Sequence, residues 1–203
     1  MIRFLDQPEE TALIDAARFK AELNIVGTDA ARDALIDGHI LAATGTINKA
    51  CGRVSFGAAT AEETFFHARA GRPLWLTHWP VTVISSVTEA GEPVAAEDYE
   101  IDADRKLWRL MDGQRASWSC GRVVVTYEGG YELPDECPPD LAGVCLELAT
   151  ASWSARGRDP MIKAEDVPGI GKIEYWVGAV AGLQGDMSER SSGVLLNYQN
   201  FAF

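Results

Sequence analysis

The sequence predicts an α+β protein: a small helical bundle of three main helices, with an inserted antiparallel β-module and a C-terminal arm. Three observations carry this. Apolar residues recur at helical spacing on both sides of the chain's middle, in 8–51 and again in 140–156. Between them, over about 62–130, the period falls to two in short β-branched runs separated by turns rather than helices. Beyond 157, Gly157, Pro160, Pro168, Gly169 and Gly171 interrupt any regular element. The expected division is a core over 1–157 and an arm with a docking tail over 158–203.

The first helix is expected over 8–23. Pro8 needs no N–H in a first turn, and Glu9 and Glu10 suit the positive end of the helix dipole. The second, over 28–51, can be capped by Thr28 or Asp29 and carries the stripe Ile36, Ile40, Ala43, Ile47. Strands are expected over 63–68, 73–77, 81–88, 99–102, 107–111 and 122–128, which together make an antiparallel sheet or small sandwich. In 81–88, Val81, Val83, Ser85 and Val87 should share one face. Gly129-Gly130 then lets the backbone leave the sheet, and Pro134, Pro138 and Pro139 hold the connector extended. Asp140 is the expected cap of a third helix to Arg156, with Leu141, Val144, Cys145, Leu148 and Ser152 on one face. In the arm, 172–177 offers one strand, and the polar start of 188–203 gives way to a terminal apolar strand without a pairing mate.

The formal charge of −12 argues against a basic grip on nucleic acid, which needs clustered Lys and Arg. It leaves open a wall past which DNA slides, or an acidity that serves solubility alone. The N-terminus has no basic region followed by an apolar run, and the apolar stretch 176–183 is too short to cross a bilayer, so a cytoplasmic chain is expected. Cys51, Cys120, Cys137 and Cys145 fall in no metal-binding spacing and read as free buried thiols.

No motif for chemistry survives inspection. Pro168-Gly-Ile-Gly-Lys172 lacks the first glycine and the hydroxyl of a phosphate loop. Ser117, Ser119 and Cys120 sit in no nucleophile elbow. His39, His67 and His78 are far apart and read as structural or surface residues. Asp102 with Asp104, and Asp135 and Glu136 with Asp140, lack the alternation of a calcium loop. The six tryptophans read as core. The chain is therefore expected to be no enzyme, with no metal and no cofactor.

Four segments in order carry a resemblance. They are the N-terminal helices, with Thr28-Asp29-Ala30 opening the second and Cys51-Gly52-Arg53 closing it; Leu74-Trp75-Leu76-Thr77-His78-Trp79-Pro80-Val81 running into 83–87; Val123-Val-Val-Thr-Tyr-Glu-Gly-Gly-Tyr131 with the proline-rich link, helix and Arg156-Gly157; and Lys163-Ala-Glu-Asp-Val-Pro-Gly-Ile-Gly-Lys-Ile-Glu-Tyr175. Over about 10–177 the chain resembles the head–tail connector, or adaptor, proteins of long-tailed bacteriophages and gene transfer agents; residues 54–72 and the last 25 or so match nothing in that pattern.

The resemblance implies a non-catalytic virion structural protein at the head–tail junction, assembled in the host cytoplasm. Such a protein forms a homo-oligomeric ring, a dodecamer, between the portal and the downstream neck, stopper or tail protein, and DNA passes through without sequence-specific binding. At −12 per copy, a dozen copies would set on the order of a hundred negative charges around that channel. Val194, Leu195, Leu196, Tyr198, Phe201 and Phe203 are the expected portal-docking residues; Ile173, Tyr175 and Trp176 are the expected contact between copies. The competing expectation is a stand-alone cytoplasmic protein-binding module, a helical core with a β-insert.

Overall fold

A computed structural model of the chain describes residues 1–6, 11–66, 72–102, 105–119, 121–156 and 188–200, and the backbone alone of 164–167 and 171–174. The chain is α+β and divides into two compact units, each made of two stretches of sequence. The first comprises Met1–Thr11 and Arg53–Glu136, the second Ala12–Gly52 and Cys137–Phe203. The boundary expected at 157 is therefore not where the chain divides: the β-insert is a unit by itself, and the last helix belongs with the other helices.

In the first unit, β1 (Ile2–Phe4), β2 (Ala59–Phe65), β3 (Leu74–Trp75), β4 (Val81–Glu89) and β5 (Glu92–Pro93) are followed by β6 (Tyr99–Asp102), β7 (Lys106–Met111), β8 (Gln114–Ala116) and β9 (Val123–Gly129). They form a five-stranded antiparallel sheet ordered β1-β2-β9-β4-β5, and a second sheet ordered β3-β7-β6 with β8 on β7. The sixth expected strand is thus the middle of the larger sheet. Val123, Val125 and Tyr127 of β9 alternate into a core shared with Val87 of β4, Leu107 of β7 and Trp118. Burying each such large side chain contributes on the order of 1.5–3 kcal/mol.

Strand β4 departs from simple alternation. Its register against β9 shifts twice, between Val81 and Val83 and between Ile84 and Ser86. Each bulge adds a residue and turns the following side chain over. The core-facing set becomes Val81, Ile84 and Val87, and Val83 is exposed. The double glycine beyond β9 also has a different role from the one expected. Gly129 is still in the sheet, paired with Ala59 and Val81. A Cβ there would overlap the His78 carbonyl oxygen, and one on Gly130, at φ +96°, would overlap that of Gly57. The pair permits three backbone segments to touch.

The second unit holds α1 (Ala16–Glu22), α2 (Ala30–Ala50), α3 (Pro139–Ala155) and α4 (Glu189–Leu196), and the hairpin β10 (Ala164–Val167) and β11 (Gly171–Glu174). Helix α1 starts eight residues later than expected. Asp15 is its N-cap, accepting the Arg18 N–H at 2.7 Å, while the Leu13 N–H donates to the Thr44 hydroxyl at 3.2 Å. Pro8 to Glu10 lie outside the described residues. Asp29 caps α2 through the Ala31 and Arg32 N–H groups, both at 3.0 Å. The stripe Ile36, Ile40, Ala43, Ile47 is buried as predicted. Helix α3 begins at Pro139, so Asp140 stands in its first turn rather than capping it, and its inner face runs through Ala149 and Trp153 instead of Leu148 and Ser152.

The positive φ and tight approach at Gly130 make Gly130→Ala expected to lower the unfolding free energy by roughly 2–4 kcal/mol. Gly38 is the counter-case. It sits mid-helix, with nothing within 4 Å of where a methyl group would stand, so Gly38→Ala is expected to raise that free energy by about 1 kcal/mol. Urea titration followed by far-ultraviolet circular dichroism checks both.

Candidate interaction surfaces

The C-terminal segment is helical where a strand was expected. Ser188 caps α4 by accepting the Ser191 N–H at 3.1 Å, and the Ser191 hydroxyl donates to Glu147 of α3. Past α4 the Tyr198 hydroxyl donates to Asp140 at 2.7 Å, and the Asn200 N–H donates to the Cys51 carbonyl at 2.9 Å. The expected docking residues are thereby sorted. Leu195 and Tyr198 are buried within their own unit, Val194 is half-buried, and Leu196 is 57% exposed. Phe201 and Phe203 lie outside the described residues.

Of the expected contact between copies, Ile173 stands on β11, opposite Glu165 of β10. Tyr175 and Trp176 lie outside the described residues. The expected lone strand is thus half of a hairpin, and that hairpin has no third strand beside it among the described residues.

The titratable groups that come together in the first unit are ones the sequence left without a role. Glu63, 3% exposed, accepts the Thr77 N–H at 3.0 Å and the Tyr127 hydroxyl at 2.9 Å on Oε2, and the Thr77 hydroxyl at 3.1 Å on Oε1. The Tyr127 oxygen in turn accepts the His78 N–H at 3.1 Å. Burial raises the Glu63 carboxyl above the ordinary carboxylate value, against the pull of these three donors. Burial and then the Arg53 charge push His78 down to about 4. With His78 also 3% exposed, no substrate reaches these groups, and the buried His78 Nε2 has no hydrogen-bond partner among the described residues.

Other candidates for chemistry come apart likewise. His39 Nδ1 lies 2.8 Å from the Ser152 hydroxyl, but His39 sits mid-helix and Ser152 in the last turn of α3, where backbone N–H groups are engaged within the helix and offer no oxyanion hole. Burial pushes the Cys137 and Cys145 thiols up to about 12 and about 11, so neither is a ready nucleophile. Cys51 is buried too, and Cys120 and His67 lie outside the described residues. Ser117 and Ser119 are exposed, and the Ser119 N–H donates to Glu89. Asp102 pairs with Arg115 at 3.5 Å, and Asp104 is outside the described set. Among the described residues no group of three or more His, Cys, Asp or Glu side chains is placed to hold a metal.

One surface was not foreseen. The tryptophans are not all core: Trp118 and Trp153 are buried, but Trp75 is 36% exposed and Trp79 and Trp108 are half-buried. The Arg53 guanidinium lies 4.5 Å from the Phe56 ring centre and 3.9 Å from that of Trp79. Arg105 lies 4.9 Å from both Trp79 and Trp75, and Lys106 5.0 Å from Trp75. Cation and ring alternate from Phe56 to Lys106, each contact worth about 0.5–2 kcal/mol. Nothing in linear spacing links residues 53, 75, 79 and 105; the pairing of β3 with β7 brings Trp75 beside Lys106, and the Arg53 guanidinium, buried, donates to the Trp79 carbonyl at 2.8 Å.

No protein-family model matches the chain, and no curated protein matches it. Solved structures do. The neck of an empty gene transfer agent (GTA) particle with C6 symmetry contains a chain that matches at TM-score 0.59 and 19% identity. The virion of a native GTA particle gives 0.58 and 20%, and the neck of a native GTA particle with C12 symmetry 0.58 and 19%. Each match covers 100% of this chain and 97% of the other. The chain shares that fold from end to end.

The Glu63 cluster generates a signed pH dependence. The folded state holds the Glu63 proton more tightly than the unfolded state, where the carboxyl titrates near 4.5. Its contribution is therefore most favourable below about 4.5, declines as pH rises through the raised folded value, and is level above it. In Glu63→Gln that decline is expected to vanish while the other titrations persist. Thermal unfolding of both proteins across the acidic range, followed by near-ultraviolet circular dichroism, reads the difference; parallel curves would refute it.

Proposed function

We propose that this chain is a non-catalytic structural adaptor that forms a ring in the neck of a phage or phage-like particle, between the portal of the head and the tail components. The observation that carries the reading is the end-to-end fold match to chains of GTA necks and virions. The C6 and C12 symmetries of those necks support a ring of a dozen copies or a divisor of it. The formal charge of −12 per copy suits a channel along which DNA moves without sticking.

Within this reading the C-terminal segment docks on the portal. Leu195 and Tyr198 hold α4 to its own unit, so they set the position of the exposed Leu196 and of the residues that follow. Phe201 and Phe203 remain the proposed anchors with Leu196, and Val194 adds to their margin. Ile173, Tyr175 and Trp176 remain the proposed contact between adjacent copies, at a hairpin that pairs with no third strand among the described residues and so suits strand addition by a neighbour.

Electron microscopy of particles made with and without the gene tests the function. DNA-filled heads without tails, rescued by supplying the protein, are expected; normal tailed particles without it would refute the reading. Deleting the whole of 188–203 would strip Leu195 and Tyr198 from α3, so point changes are the better probe of docking. Leu196→Asp with Phe201→Ser and Phe203→Ser is expected to weaken binding to isolated portal by about 100-fold or more, as for loss of clustered interface anchors, with an unchanged circular dichroism spectrum.

A further inference from the structure

The ring reading requires every copy to present two different surfaces, one that offers and one that receives. On that reading, we infer that the outer part of the column, Trp79, Arg105, Trp75 and Lys106, is the receiving surface, with the buried Arg53 holding Trp79 from beneath, and that its occupant is the β10–β11 hairpin of a second copy. The column is a basic island on a chain of net charge −12. Among the described residues, no carboxylate lies within ion-pair distance of Arg105 or Lys106. Burial lowers the Arg105 pKa. Each cation is already seated on a ring, so binding an anion there costs little of the side-chain entropy that a free Arg or Lys would lose. Trp and Arg held together in this way are the residue types that dominate interface energetics.

The hairpin has the matching chemistry. The segment 164–174 carries Glu165, Asp166 and Glu174 against Lys172 alone, three acids less one base, or a net −2. Its strands carry no other strand partner among the described residues. Duplex DNA is the other anion to weigh, and it is disfavoured. The field of a chain at −12 opposes it, and the two accessible cations of the column supply fewer phosphate contacts than the roughly 6–10 typical of DNA-binding surfaces.

A charge swap tests the pairing in the full-length chain. Arg105→Glu with Lys106→Glu reverses the column, Glu165→Lys with Asp166→Lys reverses the hairpin, and a third variant carries all four changes. Self-association is read by sedimentation velocity at low and high salt, retention of duplex DNA by gel shift, and folding by circular dichroism. Each reversal alone is expected to raise the concentration for half-assembly by about tenfold or more, and the combined variant to recover it, since both partners then carry the opposite sign. Should the column reversal misfold the chain, Lys106→Glu alone, at the open end of the column, provides the same reading. Association unchanged by column reversal would overturn the inference and leave the ring reading standing. Failure of the combined variant to recover would overturn the hairpin as occupant. Loss of DNA retention with unchanged association would assign the column to nucleic acid instead. A wild-type chain that stays monomeric throughout would remove both the inference and the ring reading beneath it.

Discussion

The first unit depends on a carboxylate almost without water. Glu63 on β2 holds Thr77 by both its amide and its hydroxyl, and holds Tyr127 on β9, which in turn holds the amide of His78. Three donors converge on one anion, so removing any of them leaves buried charge uncompensated rather than merely deleting a bond. The geometry downstream follows. Thr77 stands midway between Trp75 and Trp79, so the contact that fixes Thr77 also fixes the spacing of the two rings between which Arg105 is held. His78 and Pro80 present the carbonyl oxygens against which Gly129 closes. A core polar network thus sets the shape of an exposed surface.

Charge in this protein works at two ranges. The excess of acids repels other copies and DNA alike, but over distances that physiological salt cuts to about 8 Å. Within that distance only local arrangement matters, and two partly exposed cations seated on one ring count for more than an acidic majority spread elsewhere. A chain can therefore stay soluble through its net charge and still adhere through one defined contact.

Much of the architecture was legible because burial and periodicity coincide. The stripe of α2 and the alternation of β9 each face a single core, so apolar spacing reports them directly. Elsewhere something local intervened. Two bulges in β4 turn a period of two into one of three, and nothing in Val-Thr-Val-Ile-Ser-Ser-Val marks where they fall. The start of α1 is decided by a tertiary bond from Leu13 to Thr44, thirty-one residues away. The apolar end of the chain reads as a strand because Val, Tyr and Phe favour strands; Ser188 as a cap and the burial of Leu195 within its own unit make part of it a helix. Strand β1, three residues long, is too short for any pattern to show. As for the candidate surfaces, the arm shows itself through its interrupted composition, whereas the cation and ring column exists only after folding, since its members come from separate stretches of the chain.

The interleaving of the two units has a consequence for how the chain is made. Strand β1 leaves the ribosome before the rest of its sheet: β2, its partner, begins at residue 59, and the central strand β9 begins at 123. Helices α1 and α2 emerge next and must wait for α3, which starts at 139. At about 5–20 residues per second, the buried stripe of α2 spends several seconds without its cover during translation. Neither half can finish before most of the other has been synthesised. The nascent chain therefore carries its greatest risk of mispairing with another nascent chain late in elongation, and completion of α3 is the event that ends it.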